Sequence, residues 1–207
     1  LTESQNKTYL TAVATDSHRL SSCSIEVERG NKFSSFILPK KTVYQLSNLL
    51  QDSEDKVFML TSDTKIQFKM GKTILVSKVI DGKFPDYRKV VPTNNDKTLI
   101  VSSKDFIDSV ERVATVSVDR KEGVKLEINK DKIKLSVNST TSGEGNETLK
   151  ASYNSDELTI SFNSRYLIDI VSEIEDSKLK MNLKDPVSPV LIEDNSDRNS
   201  YYVIMPM

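Results

Sequence analysis

The chain has 207 residues and a mass of 23.3 kDa, enough for one large domain or two small ones. Its 29 basic and 30 acidic residues give a net charge of -1, so the overall positive charge of a typical nucleic-acid binder is absent. One cysteine, Cys23, and one histidine, His18, exclude an internal disulfide and a Cys/His zinc site. We therefore expect a cytoplasmic protein with no cofactor and no metal. Because the sequence shows neither a long apolar run nor a signal peptide, we expect no membrane partner.

Alternation of apolar and polar residues predicts half-buried antiparallel strands along much of the chain. The clearest strands are expected at residues 9–15, 57–61, 65–70, 132–137 and 178–183. Turn-forming residues separate many of the strands, at 62–65, 70–72, 129–132 and 194–200, which indicates hairpins. At the end of the chain the same alternation points Tyr202 and Ile204 into the core, and Val203 and Met205 outward.

Three segments have instead the apolar spacing of a helix with one buried face. Ser102 or Ser103 is the expected N-cap of the second, and Asn163 or Ser164 that of the third. The segments and their apolar positions are residues 40–52 with Val43, Leu46 and Leu50, residues 103–117 with Phe106, Val110 and Val113, and residues 164–175 with Leu167, Ile170, Val171 and Ile174.

The three helical segments belong to an internal repeat. Val43, Phe106 and Leu167 align with each other at spacings of 63 and 61 residues (106 minus 43, and 167 minus 106). Each unit reads as strand, helix and three strands, so we predict an α+β fold of duplicated β-α-β-β-β units, with the helices packed on one face of antiparallel sheets. A Pro- and Gly-containing connector at residues 80–97 divides the chain into predicted domains at residues 1–91, which lacks its beginning, and 92–207.

Catalysis is first sought around His18, which lies beside Asp16 and Ser17. Neighbouring residues of one extended strand point to opposite faces, so these three side chains are not expected to form a nucleophilic triad. The chain also lacks a glycine-rich phosphate loop and a helix with metal-binding histidines. We therefore predict no catalytic residues.

Four segments together resemble one family. They are ATDSHRL at 14–20, KVIDGKFPDYRKVVP at 78–92, FNSRYLIDIV at 162–171 and YVIMPM at 202–207, and they are similar to the bacterial sliding clamp, the beta subunit of DNA polymerase III. The resemblance implies a DNA-clamp fold, and a chain made of the middle domain without its start plus the last domain. It also implies a processivity factor and accessory subunit of a DNA-directed DNA polymerase, a nucleotidyltransferase complex, without catalysis of its own.

The partners implied by this resemblance are several. A full-length clamp is a homodimeric ring that encircles duplex DNA without sequence preference. The polymerase III alpha subunit, the clamp loader delta subunit and other polymerases or repair proteins would dock through short peptide motifs with apolar anchors. Carried over position by position, the peptide-binding groove comprises Thr15, His18, Arg19, Leu20, Pro85, Val90, Tyr166, Ser188, Pro189, Val203 and Met205.

The resemblance also implies two other contact regions. Basic side chains on or beside the exposed helix faces are candidate DNA contacts: Lys40, Lys41, Lys104, Arg112 and Arg165. Thr115 and Val116, with the strand at residues 146–152, are candidates for the subunit interface. For each basic side chain a plain solubilising charge is the alternative, and for Val116 it is ordinary core packing.

The sequence departs from the family pattern in the groove. Ser17 stands where the family usually has glycine, Lys89 where arginine is common and Pro189 where serine is common. Two other classes of function remain as alternatives. A hydrolase using Asp16, Ser17 and His18 predicts turnover that His18→Ala abolishes, and a β-rich envelope module predicts a signal segment and disulfides.

Overall fold

The computed structural model describes residues 2–4, 7–28, 35–51, 55–117 and 123–207. They divide into two compact units, one of residues 1–9 with 27–86 and the other of residues 10–26 with 87–207. The described residues contain three α-helices: α1 (Lys40–Gln51), α2 (Ser103–Ala114) and α3 (Ser164–Val171). The strands are β1 (Thr2–Ser4), β2 (Lys7–Thr15), β3 (Arg19–Val27), β4 (Val57–Thr61), β5 (Lys65–Met70), β6 (Thr73–Lys78), β7 (Lys97–Ser102), β8 (Gly123–Asn129), β9 (Lys132–Ser139), β10 (Gly143–Tyr153), β11 (Leu158–Asn163), β12 (Lys178–Leu183), β13 (Val190–Glu193) and β14 (Ser200–Ile204).

The first unit contains an antiparallel meander, β4-β5-β6, against which α1 packs. Every second residue of the central strand β5 points into a small core, where Ile66, Phe68 and Met70 are buried. Gly71 turns the chain between β5 and β6 with a φ of 52°, a left-handed conformation that glycine adopts without a side-chain clash. The strands at 57–61 and 65–70 and the turn at 70–72 are thus as predicted.

Burial in the first unit differs from the prediction in two places. Val43, aligned with the fully buried Phe106 and Leu167, is 49% exposed. The helix is rotated so that Thr42 is buried instead, with its hydroxyl 2.7 Å from that of Ser77 on β6. Leu50 is also exposed, so of the predicted stripe on α1 only Leu46 packs against the core. β4 is exposed along its length except for the partly buried Met59, so its predicted half-burial is wrong.

The second unit has a continuous antiparallel sheet in the order β2-β3-β14-β13-β12-β7-β10-β9-β8-β11. Helices α2 and α3 contact each other and close one core with the apolar faces of these strands. Phe106 of α2 and Leu167 of α3 are completely buried there, beside Phe162 and Met181. Two helices with one apolar face each, laid on strands with one apolar face, give the predicted α+β arrangement.

The predicted helix starts are confirmed by their capping bonds. The Ser102 hydroxyl accepts a hydrogen bond from the Asp105 amide at 3.3 Å. The Asn163 side chain accepts from the amides of Arg165 and Tyr166 at 3.0 and 3.3 Å, which satisfies donors that the first helical turn leaves free. Both helices end earlier than predicted, since residues 115–116 and 172–173 form turns.

The hairpin of β2 and β3 explains why the two compact units differ from the domains predicted from the sequence. β3 pairs with β14 in a register that places Leu20 opposite Val203 and Arg19 opposite Ile204. This pairing groups residues 10–26 with the second unit. The proposed boundary between residues 91 and 92 follows chain order and leaves this hairpin with the first domain.

Candidate functional site

The turn between β2 and β3 places Asp16, Ser17 and His18 outside the regular strands. The Asp16 carboxylate accepts the main-chain amides of His18 and Arg19, each at 3.1 Å, and so holds the turn. Ser17 has a φ of 72°, in the left-handed region that favours glycine. This backbone explains physically why glycine suits the position that Ser17 occupies.

The same turn lacks the geometry of a hydrolytic triad. Asp16 binds main-chain amides and the Arg19 guanidinium, whereas the His18 ring stacks on Tyr166 with 6.0 Å between ring centroids. A triad needs the carboxylate to orient the imidazole and the imidazole to reach the serine hydroxyl. The Asp16 carboxylate and the His18 ring thus have partners other than each other. Both residues lie in a turn and not in the extended strand that the sequence pattern suggested.

Arg19 connects this turn to helix α3. Its Nε lies 3.0 Å from Oδ2 of Asp16, and its Nη1 lies 2.6 Å from Oδ2 of Asp169. The guanidinium carbon also lies 4.4 Å from the centre of the Tyr166 ring, within the range of a cation–π interaction. One side chain therefore ties together two carboxylates and an aromatic ring.

The pKa shifts of these groups reflect their mutual pairing. Partial burial alone would raise the pKa of Asp16, but hydrogen bonds from the Arg19 side chain and from the two turn amides outweigh it, and the pKa is lowered. Burial likewise opposes the charge of Arg19, yet its bonds to Asp169 and Asp16 raise its pKa. Arg19 is therefore firmly charged and held in place.

The exposed face of the sheet continues from this turn. The Met205 amide donates to the His18 carbonyl at 2.8 Å, one step beyond the pairing of Leu20 with Val203. On the other side of β14, Val190 pairs with Ile204, which places Pro189 beside Met205. Alternation then puts two rows on one face of the sheet, and we call this surface the candidate groove: His18–Met205–Pro189 and Leu20–Val203–Leu191.

The burial of these groove residues corrects one expectation. Met205 is 37% exposed, as predicted for an outward side chain, and Val90 is 50% exposed. Val203, which the alternation placed outward, is only 2% exposed, and it pairs with Leu20 on one side and Leu191 on the other. Leu20 is 3% exposed as well, so these two residues form the floor of the candidate groove.

Hydrogen bonds hold several other groove candidates in place. Thr15 closes β2 and donates its hydroxyl hydrogen to the Arg19 carbonyl at 2.8 Å. Ser188 is fixed by Asp185, whose carboxylate accepts both its amide at 2.7 Å and its hydroxyl at 2.8 Å. The Pro189 carbonyl accepts from Asn95 of the connector at 2.9 Å. Pro85 belongs to the first unit, whereas all the other groove candidates belong to the second.

Arg19, Asp16 and Asp169 form, with Tyr166 and His18, what we call the Arg19 cluster. The first three of these residues line a cavity of about 310 Å³ between the β2–β3 hairpin and α3. Its apolar wall includes Ile170 and Tyr202, and its polar wall includes Asp16 and Asp169. Burial raises the pKa of the Tyr202 hydroxyl, so this ring stays neutral.

The basic candidates divide into free and paired side chains. Lys40 and Lys41 on α1, Lys104 on α2 and Arg165 on α3 are exposed at the starts of their helices, and the Lys40 ammonium lies 5.6 Å from the Tyr44 ring centre.

Arg112 is different, because its Nη2 donates to Oε2 of Glu147 on β10 at 2.8 Å and to Ser109 at 3.1 Å. Its charge is therefore neutralised within the second unit, which weakens its assignment as a DNA contact.

Thr115 and Val116 follow the end of α2. Thr115 is exposed, while Val116 is partly buried and packs against the core and close to Gly145, so the reading of Val116 as core is at least partly right. In β10, residues 143–150 pair with β9 and residues 151–153 pair with β7. On the side of β10 away from β9, residues 143–150 have no strand partner within the described residues. Residues 146–150 of the predicted interface strand are therefore available for pairing.

Asp16 and Asp169 are the site residues that sequence reasoning did not assign to the groove. Asp169 is 150 residues from Arg19 along the chain. For Asp16, the only sequence signal was its place in the segment ATDSHRL. Alternation and spacing say nothing about contacts over such a distance. No group of three or more metal-binding side chains occurs among the described residues, and no described helix is long and apolar enough to span a membrane.

Comparison with known proteins gives consistent matches along the whole chain. A family model for the DNA polymerase III beta subunit, C-terminal domain, matches residues 88–207, and the model for its central domain matches residues 1–86. The beta sliding clamps of Caulobacter vibrioides and Escherichia coli K12 are 36% and 34% identical over 202 and 198 residues, 97% and 96% of this chain. The chain spans about half of these relatives, 54% of each.

Solved structures agree with the sequence matches. The sliding clamp of Bartonella birtlesii, solved with griselimycin bound, is 42% identical with a TM-score of 0.93, over 96% of this chain and 54% of that one. The clamp of Caulobacter crescentus is 35% identical with a TM-score of 0.93, over 99% of this chain and 55% of that one.

The Glu147–Arg112 pair predicts a pH-dependent stability. The hydrogen bond from Arg112 lowers the pKa of Glu147 from 4.5 to about 2, against the opposing effect of burial. The folded pKa is the lower one, so the stabilisation is complete above pH 4.5 and is lost as the pH falls towards 2. We expect Glu147→Gln to reduce the drop in melting temperature between pH 5 and pH 3. Glu144→Gln, exposed on the same strand, is the control, and equal drops in both variants and wild type would contradict the role of the pair.

Proposed function

The chain belongs to the DNA polymerase III beta subunit family, the beta sliding clamps, and from this we propose that it supplies the central and C-terminal parts of a ring that encircles duplex DNA. The observation that carries the proposal is the match of both domain models, together covering residues 1–86 and 88–207. A partner domain from the rest of a full-length clamp would complete the ring, with the open edge of β10 and Thr115 as pairing surfaces in a homodimer.

Enclosure explains how a nearly neutral protein can hold DNA. A ring leaves DNA only when an interface opens, so its contacts with phosphates need only be weak and exchangeable. The net charge of -1 is compatible with this mechanism. Exposed cations at the helix starts, Lys40, Lys41, Lys104 and Arg165, supply such contacts without reading base sequence.

The second activity we propose is the docking of replication and repair proteins in the candidate groove. Met205 exposes apolar surface there, beside the buried Leu20 and Val203 of the paired strands β3 and β14. Each buried Leu or Phe anchor of a peptide contributes about 1.5–3 kcal/mol, so two anchors with main-chain bonds give affinities of roughly micromolar strength. Such affinities allow the polymerase alpha subunit, the clamp loader delta subunit and repair proteins to exchange.

The Arg19 cluster makes this groove suitable for repeated binding. The rings of His18 and Tyr166 are stacked. Arg19 also contacts the Tyr166 ring, and its ion pairs with Asp16 and Asp169 hold the guanidinium in that position. A wall that is already ordered loses little conformational entropy when a peptide binds. We assign no catalytic residue, and the proposed role in the polymerase complex is that of an accessory subunit in the cytoplasm.

A peptide titration tests the groove. We expect Met205→Ala to weaken binding of a Gln-x-x-Leu-x-Phe peptide about tenfold, because an exposed apolar contact with an anchor is lost. Leu49→Ala on α1, where Leu49 is 38% exposed, removes a similar surface elsewhere and should leave the affinity unchanged. Isothermal calorimetry measures both. Equal affinities for wild type and Met205→Ala would refute the site. Leu20→Asp is unsuitable, since it places a charge at a buried position.

Duplex binding at low salt tests the proposed DNA contacts. We expect the double change Lys40→Glu and Lys41→Glu, made in the full-length ring, to weaken its association with a fluorescent duplex at low salt and to reduce the salt slope by about 0.9 per lost phosphate contact. The control, Lys130→Glu with Lys132→Glu, changes the net charge equally in the turn between β8 and β9. If both double variants lose affinity to the same extent, overall charge and not the start of α1 governs DNA binding.

A further inference from the structure

We propose that a cavity next to the candidate groove is a subsite for an acidic side chain of the docked peptide. The cavity has a volume of about 420 Å³, lies on β12, β13 and β14, and includes Val91 of the connector in its wall. No groove residue predicted from the sequence lines it. The inference rests on the proposed docking function and adds to it a chemical preference of the partner.

The position of the cavity follows from the sheet register. Leu191 pairs with Val203 in the groove floor, and two residues further along the same strands Glu193 pairs with Tyr201. Leu191, Glu193 and Tyr201 all line the cavity. Successive rows on one sheet face are about 7 Å apart, the length of two extended residues. A peptide lying over Val203 and Met205 can therefore reach the cavity with a residue about two to four positions from its apolar anchor.

The acidic groups of the cavity are already satisfied. Glu193 accepts bonds from Lys180 at 2.8 Å and from Asn182 at 2.6 Å. Asp194 is 4% exposed and accepts the amides of Glu175 at 3.0 Å and Ser196 at 2.8 Å, together with the Ser196 hydroxyl. Both carboxylates thus have internal partners, and neither is free to bind a cationic ligand without losing them.

Arg198 and Tyr201 are hydrogen-bond donors of the cavity that have no such partner among the described residues. Arg198 is exposed, and within the described part of the chain neither an ion pair nor a hydrogen bond of its guanidinium is found. The Tyr201 hydroxyl also has no partner among these residues, and its ring is partly buried beside Val91 and Leu191. An unpaired guanidinium beside a phenol and an apolar floor fits a carboxylate on a short aliphatic stem, the chemistry of Glu or Asp.

A paired set of peptides tests this subsite. The first peptide carries neutral residues around a Gln-x-x-Leu-x-Phe core, and two others carry a single Glu, placed three residues before or three residues after the anchors. We expect one Glu peptide to bind wild type about fivefold more tightly than the neutral peptide, as expected for a partly exposed charge pair. Arg198→Gln should abolish this gain and leave the affinity for the neutral peptide unchanged.

Lys130→Gln removes an exposed cation from the turn between β8 and β9 and should preserve the gain, which separates a local contact from an effect of net charge. A gain that persists in Arg198→Gln, or the absence of any gain in wild type, would overturn the subsite while neutral-peptide binding continues to support the groove. If the neutral peptide itself fails to bind, the groove and the subsite are both overturned.

Discussion

The bridge from Arg19 to Asp16 and Asp169 is the interaction on which the proposed docking site depends. It joins the β2–β3 turn to α3, two elements far apart in sequence, and it places a guanidinium against Tyr166. Without it, the turn would be held mainly by the Asp16 caps and by the single bond from the Met205 amide to His18. The side chains of the bridge are 29% (Arg19), 46% (Asp16) and 44% (Asp169) exposed, so its value lies in fixing geometry more than in overall stability.

Local chemistry allowed much of the fold to be predicted. Alternation located β4, β5, β9 and β12, and the capping residues Ser102 and Asn163 marked the helix starts, because such signals act within a few residues. Burial was predicted less well. Val43 is exposed where the repeat suggested core, and Val203 is buried where alternation suggested solvent, since each outcome depends on what packs against the element. The role of Asp169 depends on a contact across 150 residues, which no local pattern encodes.

The low net charge of the chain and the weak peptide binding proposed for the groove follow the same principle, because both rely on weak contacts. A ring retains DNA by enclosure, so strong phosphate contacts would only impede sliding. In the proposed groove, shallow apolar contacts at Met205 would likewise let one partner leave when another is needed. The acidic subsite proposed at Arg198 would then distinguish partners through charge, at a site separate from the apolar anchors that they share.

A double-mutant cycle between Arg19 and Asp169 measures the central claim most directly. Peptide affinity would be compared for wild type, Arg19→Gln, Asp169→Asn and the double variant. We predict that either single change weakens binding and that the double variant is scarcely weaker than the singles, with a coupling of about 0.5–1 kcal/mol. Fully additive losses, or single variants that bind as tightly as wild type, would show that the bridge does not hold the docking wall in place.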